Sequence, residues 1–160
     1  SGLSDVVKSG PVRDQADEVA EMLADANRCR ALLVALPEET PITEVIELAD
    51  DIGGAIDDGG LGMALLPLVV NGCWADRPGL AKTPAMAARS HKLKLSADAK
   101  QALESAAVFG RSRLKQQDEQ IARLSARRSE RVITLPRFAT PRLGPDELVV
   151  LADHLAEQLR

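Results

Sequence analysis

Residues 31–50, ALLVALPEETPITEVIELAD, set an unbroken apolar run against an acidic turn and then an amphipathic repeat. The run from Ala31 to Leu36 carries no polar alternation, the pattern of a strand covered on both faces in a parallel sheet. Pro37 ends that ladder. Thr40 is a suitable N-cap, Pro41 falls in the first turn, and Ile42, Val45, Ile46, Ala49, Ile52 and Ile56 return at helical spacing. A strand, a sharp turn and a helix with one apolar face are expected. In open α/β sheets ligands bind at the carboxyl ends of the strands, so the turn with Glu38 and Glu39 points to the binding edge. A solvated acidic turn accounts for the same two residues.

Working outward, a first helix is expected near Pro11, capped by Ser9 or Gly10, with Val12, Ala16, Val19, Ala20 and Leu23 along one face. Beyond the Ile42–Ile56 repeat, DDGGLG (57–62) reads as a connecting turn. Its glycines precede a strand, and Asp57 and Asp58 would repel phosphate. A second apolar run, 64–70, ends in Asn71-Gly72. Pro67 cannot donate to a ladder, so the strand is expected to start there or later.

Residues 73–95 lose periodicity and read as a long loop with one short helix, a candidate partner or lid segment. Trp74 is either a contact residue or core packing, and His91 an ordinary surface histidine. Ser96 caps a long helix reaching about Ser129. Ala99, Leu103, Ala106, Gly110, Leu114, Gln117, Ile121 and Leu124 form a seam at steps of three and four. Gln117 and Gly110 in that seam favour packing on a sheet or in a hairpin over a free coiled-coil dimer, with a break possible at Gly110. A third strand is expected over 131–135, then a helix from Pro145 burying Leu148, Leu151, Ala152, Leu155 and Leu159. The alternation implies an α/β fold with a parallel sheet of about three strands, flanking helices and one long helix.

The chain has 160 residues, 45% of them hydrophobic, enough for one core. With one Trp, two Phe and no Tyr, it lacks stacking platforms for single-stranded nucleic acid, and its net charge of −4 argues against a nucleic-acid partner. Arg111, Arg113, Lys115, Arg123, Arg127, Arg128 and Arg131 cluster late in the chain. Asp118, Glu119 and Glu130 are interleaved with them, as on a solvated helix face with local ion pairs. Cys29 and Cys73 make neither a zinc motif nor a redox dithiol, so a reduced, cytoplasmic setting is expected. No apolar run is long enough to cross a bilayer.

No catalytic constellation is present. There is no G-x-x-x-x-G-K-[ST] phosphate loop and no G-x-S-x-G elbow, and His91 and His154 are the two histidines available as bases. Adjacent Glu38 and Glu39 do not by themselves make an acid–base pair.

The ordered set LVALPEETPITEVIELAD, PLVVNGC, RSRLKQQDEQIARL and VITLPRFATPRLGPDEL resembles the C-terminal half of the anion-transporting ATPases. That family contains arsenical-pump and tail-anchored-protein targeting members, which are dimeric deviant-Walker P-loop hydrolases. The likeness runs from about Asn27 to the end. It implies that Asn71, ending the strand before the helical region, contacts adenine, which suits a side chain with both a donor and an acceptor. It implies likewise that Pro136, Arg137 and Phe138 open the adenine loop, Phe138 packing on the base and Gly144 closing the loop.

Thr140 and Pro141 replace the acidic pair usual in that loop, and the C-x-x-C that clamps some dimers through zinc is absent. Composition, rich in Ala, Arg and Asp relative to Lys, points to a high-GC bacterium of actinobacterial kind. The resemblance therefore implies one segment of an ATPase domain, residues 1–160, with 73–130 as its helical partner region. ATP would be the cofactor, with Mg²⁺, the phosphate loop and the switches held by an N-terminal half outside this chain. That half, the nucleotide and a homo- or heterodimeric paralogue are the implied partners. Opening on Ser-Gly without Met fits such a segment. Two other readings predict different things: a non-catalytic family member that pairs with an active paralogue, and a stand-alone helical scaffold, which predicts no parallel sheet. Arsenite binding is poorly served by two distant cysteines, and a lone Met86 says little for an apolar client.

Overall fold

The computed structural model describes residues 11–159; the expected caps Ser9 and Gly10 lie outside them. The elements are α1 (Pro11–Ala24), β1 (Arg30–Ala31), β2 (Val34–Ala35), α2 (Glu39–Gly53), β3 (Ala64–Leu65), β4 (Leu68–Cys73), α3 (Pro84–Ser90), α4 (Ala97–Arg127), β5 (Val132–Pro136) and α5 (Pro145–Leu159), with 3-10 turns at Ile56–Asp58 and Pro78–Ala81. All pairings are parallel: β1 with β3, and β2, β4 and β5 in that spatial order. This is the expected α/β architecture, and its parallel strands exclude the purely helical scaffold.

Each of the first two apolar runs forms two short strands rather than one. Pro67 has no N–H to give, so the ladder stops opposite it and resumes at once, with Leu66 N–H bonding the Ala31 carbonyl at 2.8 Å and Val69 N–H the Leu33 carbonyl at 2.9 Å. The β4 strand starts after the proline, as expected, but continues through Asn71 and Gly72 to Cys73. Gly72 has φ +76°, and the β4–β5 register shifts between Val70 and Cys73. A glycine there admits the left-handed backbone that this irregularity requires.

The core lies between one face of the sheet and helices α2 and α4. It contains Ala35, Ile42, Val45, Ile46, Leu68, Val70, Cys73 and Leu124, with Leu33, Ile121 and Val132 packed against it. Ile42, Val45, Ile46 and Ala49 are all buried, as their spacing requires. Ile56 is not part of that stripe: α2 ends at Gly53 and Ile56 lies exposed in a 3-10 turn. Its N-cap is Glu38, not Thr40, and no side chain caps it. The turn after Pro37 is tight, with Glu38 N–H on the Leu36 carbonyl at 2.8 Å, so the helix starts two residues earlier than expected. Glu39 then falls in the first turn, where a carboxylate complements the helix dipole.

The expectation that 31–36 is covered on both faces is overturned. Leu33 and Ala35 point into the core, whereas Leu32, Val34 and Leu36 are 40%, 57% and 48% exposed. The reason is the pleat: successive side chains take opposite faces, and at β2 only the face toward α2 is packed. The α5 expectation fails similarly. The helix starts at Pro145 but buries no residue; Leu151 and Leu155 are half-buried, and Leu148, Ala152 and Leu159 are exposed. It is held instead by Gln158, whose side chain accepts from Thr134 N–H at 3.3 Å and donates to the Thr134 carbonyl at 3.0 Å, closing the outer edge of β5.

Helix α4 runs unbroken through Gly110, capped by Ser96, whose hydroxyl accepts from Ala99 N–H at 3.1 Å. The seam is graded along its length. Leu103 and Ala106 are exposed, Gly110, Leu114 and Ile121 half-buried, and Gln117 and Leu124 buried. Only the second half of the helix lies on the core.

Candidate functional site

Three strand ends meet at one edge. The Gly72 Cα, at the end of β4, would carry a Cβ 3.6 Å from the Leu36 side chain beyond β2, and Arg137 N–H, just past β5, bonds the Cys73 carbonyl at 2.8 Å. Between them is a small cavity of about 40 Å³, lined in part by Pro37, Glu38, Arg113, Gln117 and Arg137. That space suits water rather than a base.

Of the four residues expected to hold adenine, only Arg137 lines this cavity. Its guanidinium lies 4.9 Å above the Trp74 ring. Pro136 is paired with Cys73 at the end of the β4–β5 ladder, and Phe138 follows, half-buried. Asn71 is half-buried on β4, and its side-chain amide makes no hydrogen bond among the described residues. Asn71 and the Pro136–Phe138 turn thus belong to the ends of neighbouring strands. They share an edge but not one closed pocket.

Glu38 has a different partner from any of these. Its carboxylate meets Arg113 of α4 at 2.9 Å. With both side chains partly exposed, the pair adds little stability but ties the strand-end turn to the long helix. Glu39 is exposed. Other cations of the Arg-rich face also reach across the chain: Arg123 bonds the Thr43 hydroxyl and Arg128 pairs with Asp50, both on α2, while Arg128 meets Glu130 at 2.7 Å. The Glu130 hydrogen bond raises the Arg128 pKa, and the same bond lowers that of Glu130. Lys115 does pair within its own helix, with Glu119 at 3.7 Å.

Trp74 is the hub that sequence reading left open. Its ring meets Phe109 of α4 edge-on, with centroids 6.2 Å apart and planes at 77°. Its backbone is held by Gln117, whose Oε1 accepts from Trp74 N–H at 2.7 Å and whose Nε2 donates to the Trp74 carbonyl at 3.3 Å. Of the two roles expected of Trp74, the structure shows packing: the ring is half-buried against α4.

On the other side of Trp74 lies a groove the sequence did not reveal. Its volume is about 530 Å³, between residues 74–95 and the first half of α4, with Leu80, Leu103, Phe109 and Leu114 among its walls. Gly110 sits where a Cβ would come within 3.1 Å of the Leu80 side chain, so the helix admits the 3-10 turn closely there. In the sequence the groove shows only as scattered Leu and Ala through a segment otherwise rich in Pro, Gly and basic residues.

Cys73 is buried, and burial raises its thiol pKa, while Cys29 is half-buried and also free. Among the described residues no helix is long and apolar enough to cross a membrane, and no three metal-ligating side chains cluster. No family model matches the chain, and no curated protein matches it.

Proposed function

We propose that the chain is the adenine-side part of an ATPase of the anion-transporting type, binding the base of ATP while another segment or chain supplies the phosphate loop, the switches and Mg²⁺. In this reading ATP hydrolysis drives movement of an anion or a protein client through closure of a dimer in the cytoplasm. The observation that carries it is the common edge of β4 and β5, where Asn71 keeps an unbonded amide beside the Pro136–Arg137–Phe138 turn. A carboxamide presents a donor and an acceptor to a base edge, and a half-buried aromatic supplies a face to stack on. These residues suit a base and not a triphosphate: of the two cations at the strand ends, Arg113 is occupied by Glu38 and Arg137 lies over the Trp74 ring. The open flank of β2, with Leu32, Val34 and Leu36 exposed, is in keeping with a sheet that continues in a partner segment.

The same open flank also favours the second reading, a non-catalytic relative that pairs with an active ATPase. Equilibrium binding of a fluorescent adenine nucleotide, with turnover assayed in parallel, separates the two. Binding weakened several-fold by Asn71→Ala, with no turnover by the chain alone, is the expected result. No nucleotide binding, with tight association to an active paralogue, would favour the pairing protein. Turnover above background by these residues alone would overturn the division of labour proposed.

A further inference from the structure

We infer that the groove beside Trp74 binds a single acyl chain bearing an anionic head, a long-chain carboxylate being the simplest example. Its floor is apolar: Leu80, Leu95, Leu103, Phe109 and Leu114 face it, together with small alanines of α3 and α4. The polar side chains in its wall are all nitrogenous. Arg77, Lys82 and His91 line it, and among the described residues no carboxylate does. Neither Arg77 nor Lys82 forms an ion pair among the described residues, and both are exposed, as is His91. In a chain whose net charge is −4, an apolar groove whose charged lining side chains among the described residues are Arg77 and Lys82 complements an apolar ligand with a negative end.

Size favours a chain over a helix. At about 530 Å³ the groove falls within the usual range for small ligands, roughly 300–1,000 Å³. One turn of an α-helix with its side chains already displaces on the order of 500 Å³. An alkyl chain can lie along the groove, with its head at Arg77 and Lys82. This site is separate from the proposed adenine edge, since Asn71, Pro136 and Phe138 do not line it.

Trp74 is the only tryptophan and there is no tyrosine, so emission from the whole chain reports on the groove wall directly. Titration with dodecanoate below its micellar concentration should give a saturable change in Trp74 emission with one ligand per chain. Dodecanol and dodecyltrimethylammonium should bind at least about tenfold more weakly. Charge reversal in the double variant Arg77→Glu, Lys82→Glu should weaken dodecanoate about tenfold or more and strengthen the alkyl cation. Both side chains are exposed, so unchanged circular dichroism checks the fold. A second variant, Ala107→Leu, fills the groove and should weaken all three ligands. Equal affinity for the three head groups, no saturable change, or tighter binding by an acidic amphipathic peptide than by dodecanoate would each overturn the assignment.

Discussion

Gln117, buried in the middle of α4, holds the backbone of Trp74 at both its N–H and its carbonyl, although the two residues are 43 positions apart. The pair fixes the strand end against the long helix. Replacing Gln117 by Leu keeps the volume roughly but leaves two partly buried backbone groups without their side-chain partner. The expected cost is about 1–3 kcal/mol in chemical denaturation. Gln117→Glu keeps the acceptor and loses the donor, and should fall between Leu and wild type at neutral pH.

Burial predicts a sharp contrast between two leucines. Leu124 is fully buried against β4 and β5, and Leu124→Ala should cost about 2–5 kcal/mol. Leu148 on α5 is 56% exposed, and Leu148→Ala should change stability of the isolated chain by about 0.5 kcal/mol or less. Equal losses in urea melts would show that α5 packs more tightly than its exposure indicates.

Acid should weaken the Arg128 junction. Hydrogen bonding to Arg128 lowers the Glu130 pKa below its ordinary value of 4.5. A carboxyl with a lowered pKa in the folded chain contributes stability that is complete above its unfolded pKa and is lost as pH falls through the folded one. The two side chains are 14% and 19% exposed, so the contribution should be about 1 kcal/mol. Glu130→Gln should remove it at pH 7 and flatten the stability profile below about pH 4.5, measured by urea melts across that range.

Two glycines of the 57–62 turn should respond differently to alanine. A Cβ on Gly60 would lie 2.2 Å from the Gly54 carbonyl oxygen, a backbone atom that cannot swing away. Gly60→Ala should therefore cost about 1–3 kcal/mol or more. Gly59 has open space around it but φ +89°, so Gly59→Ala should cost only the left-handed strain, about 1–2 kcal/mol.

Cys73 should resist alkylation in the folded chain. Burial raises its pKa above 9.0, so little thiolate exists at pH 7 to 8. Labelling with iodoacetamide followed by mass spectrometry should modify Cys29 first, and Cys73 only on unfolding.

Much of the order of elements was legible because it rests on local rules. The apolar spacing of Ile42, Val45, Ile46 and Ala49, the cap at Ser96 and the interruption at Pro67 each depend on residues within a few positions. Where local signals competed, the reading slipped. Thr40 has the side chain of a cap, but the tight turn at Pro37 starts the helix before it. The candidate base contacts Asn71 and Pro136–Phe138 came from a resemblance, and parallel pairing of β4 with β5 brings their strand ends together without enclosing them.

The sequence by itself determined the order of strands and helices in this protein, and the parallel α/β class it implies, because periodicity, proline and capping act over a turn or two of chain. Only the tertiary structure decided which apolar faces are covered. Val34 and Ala35 are adjacent in one run, yet one is 57% exposed and the other 7%, because they point to opposite faces of β2 and only the face toward α2 is covered. It also decided that Glu38 meets Arg113 across 75 positions and that Trp74 stands between the strand ends and an apolar groove. Such relations depend on how remote segments pack, and no local pattern carries that information.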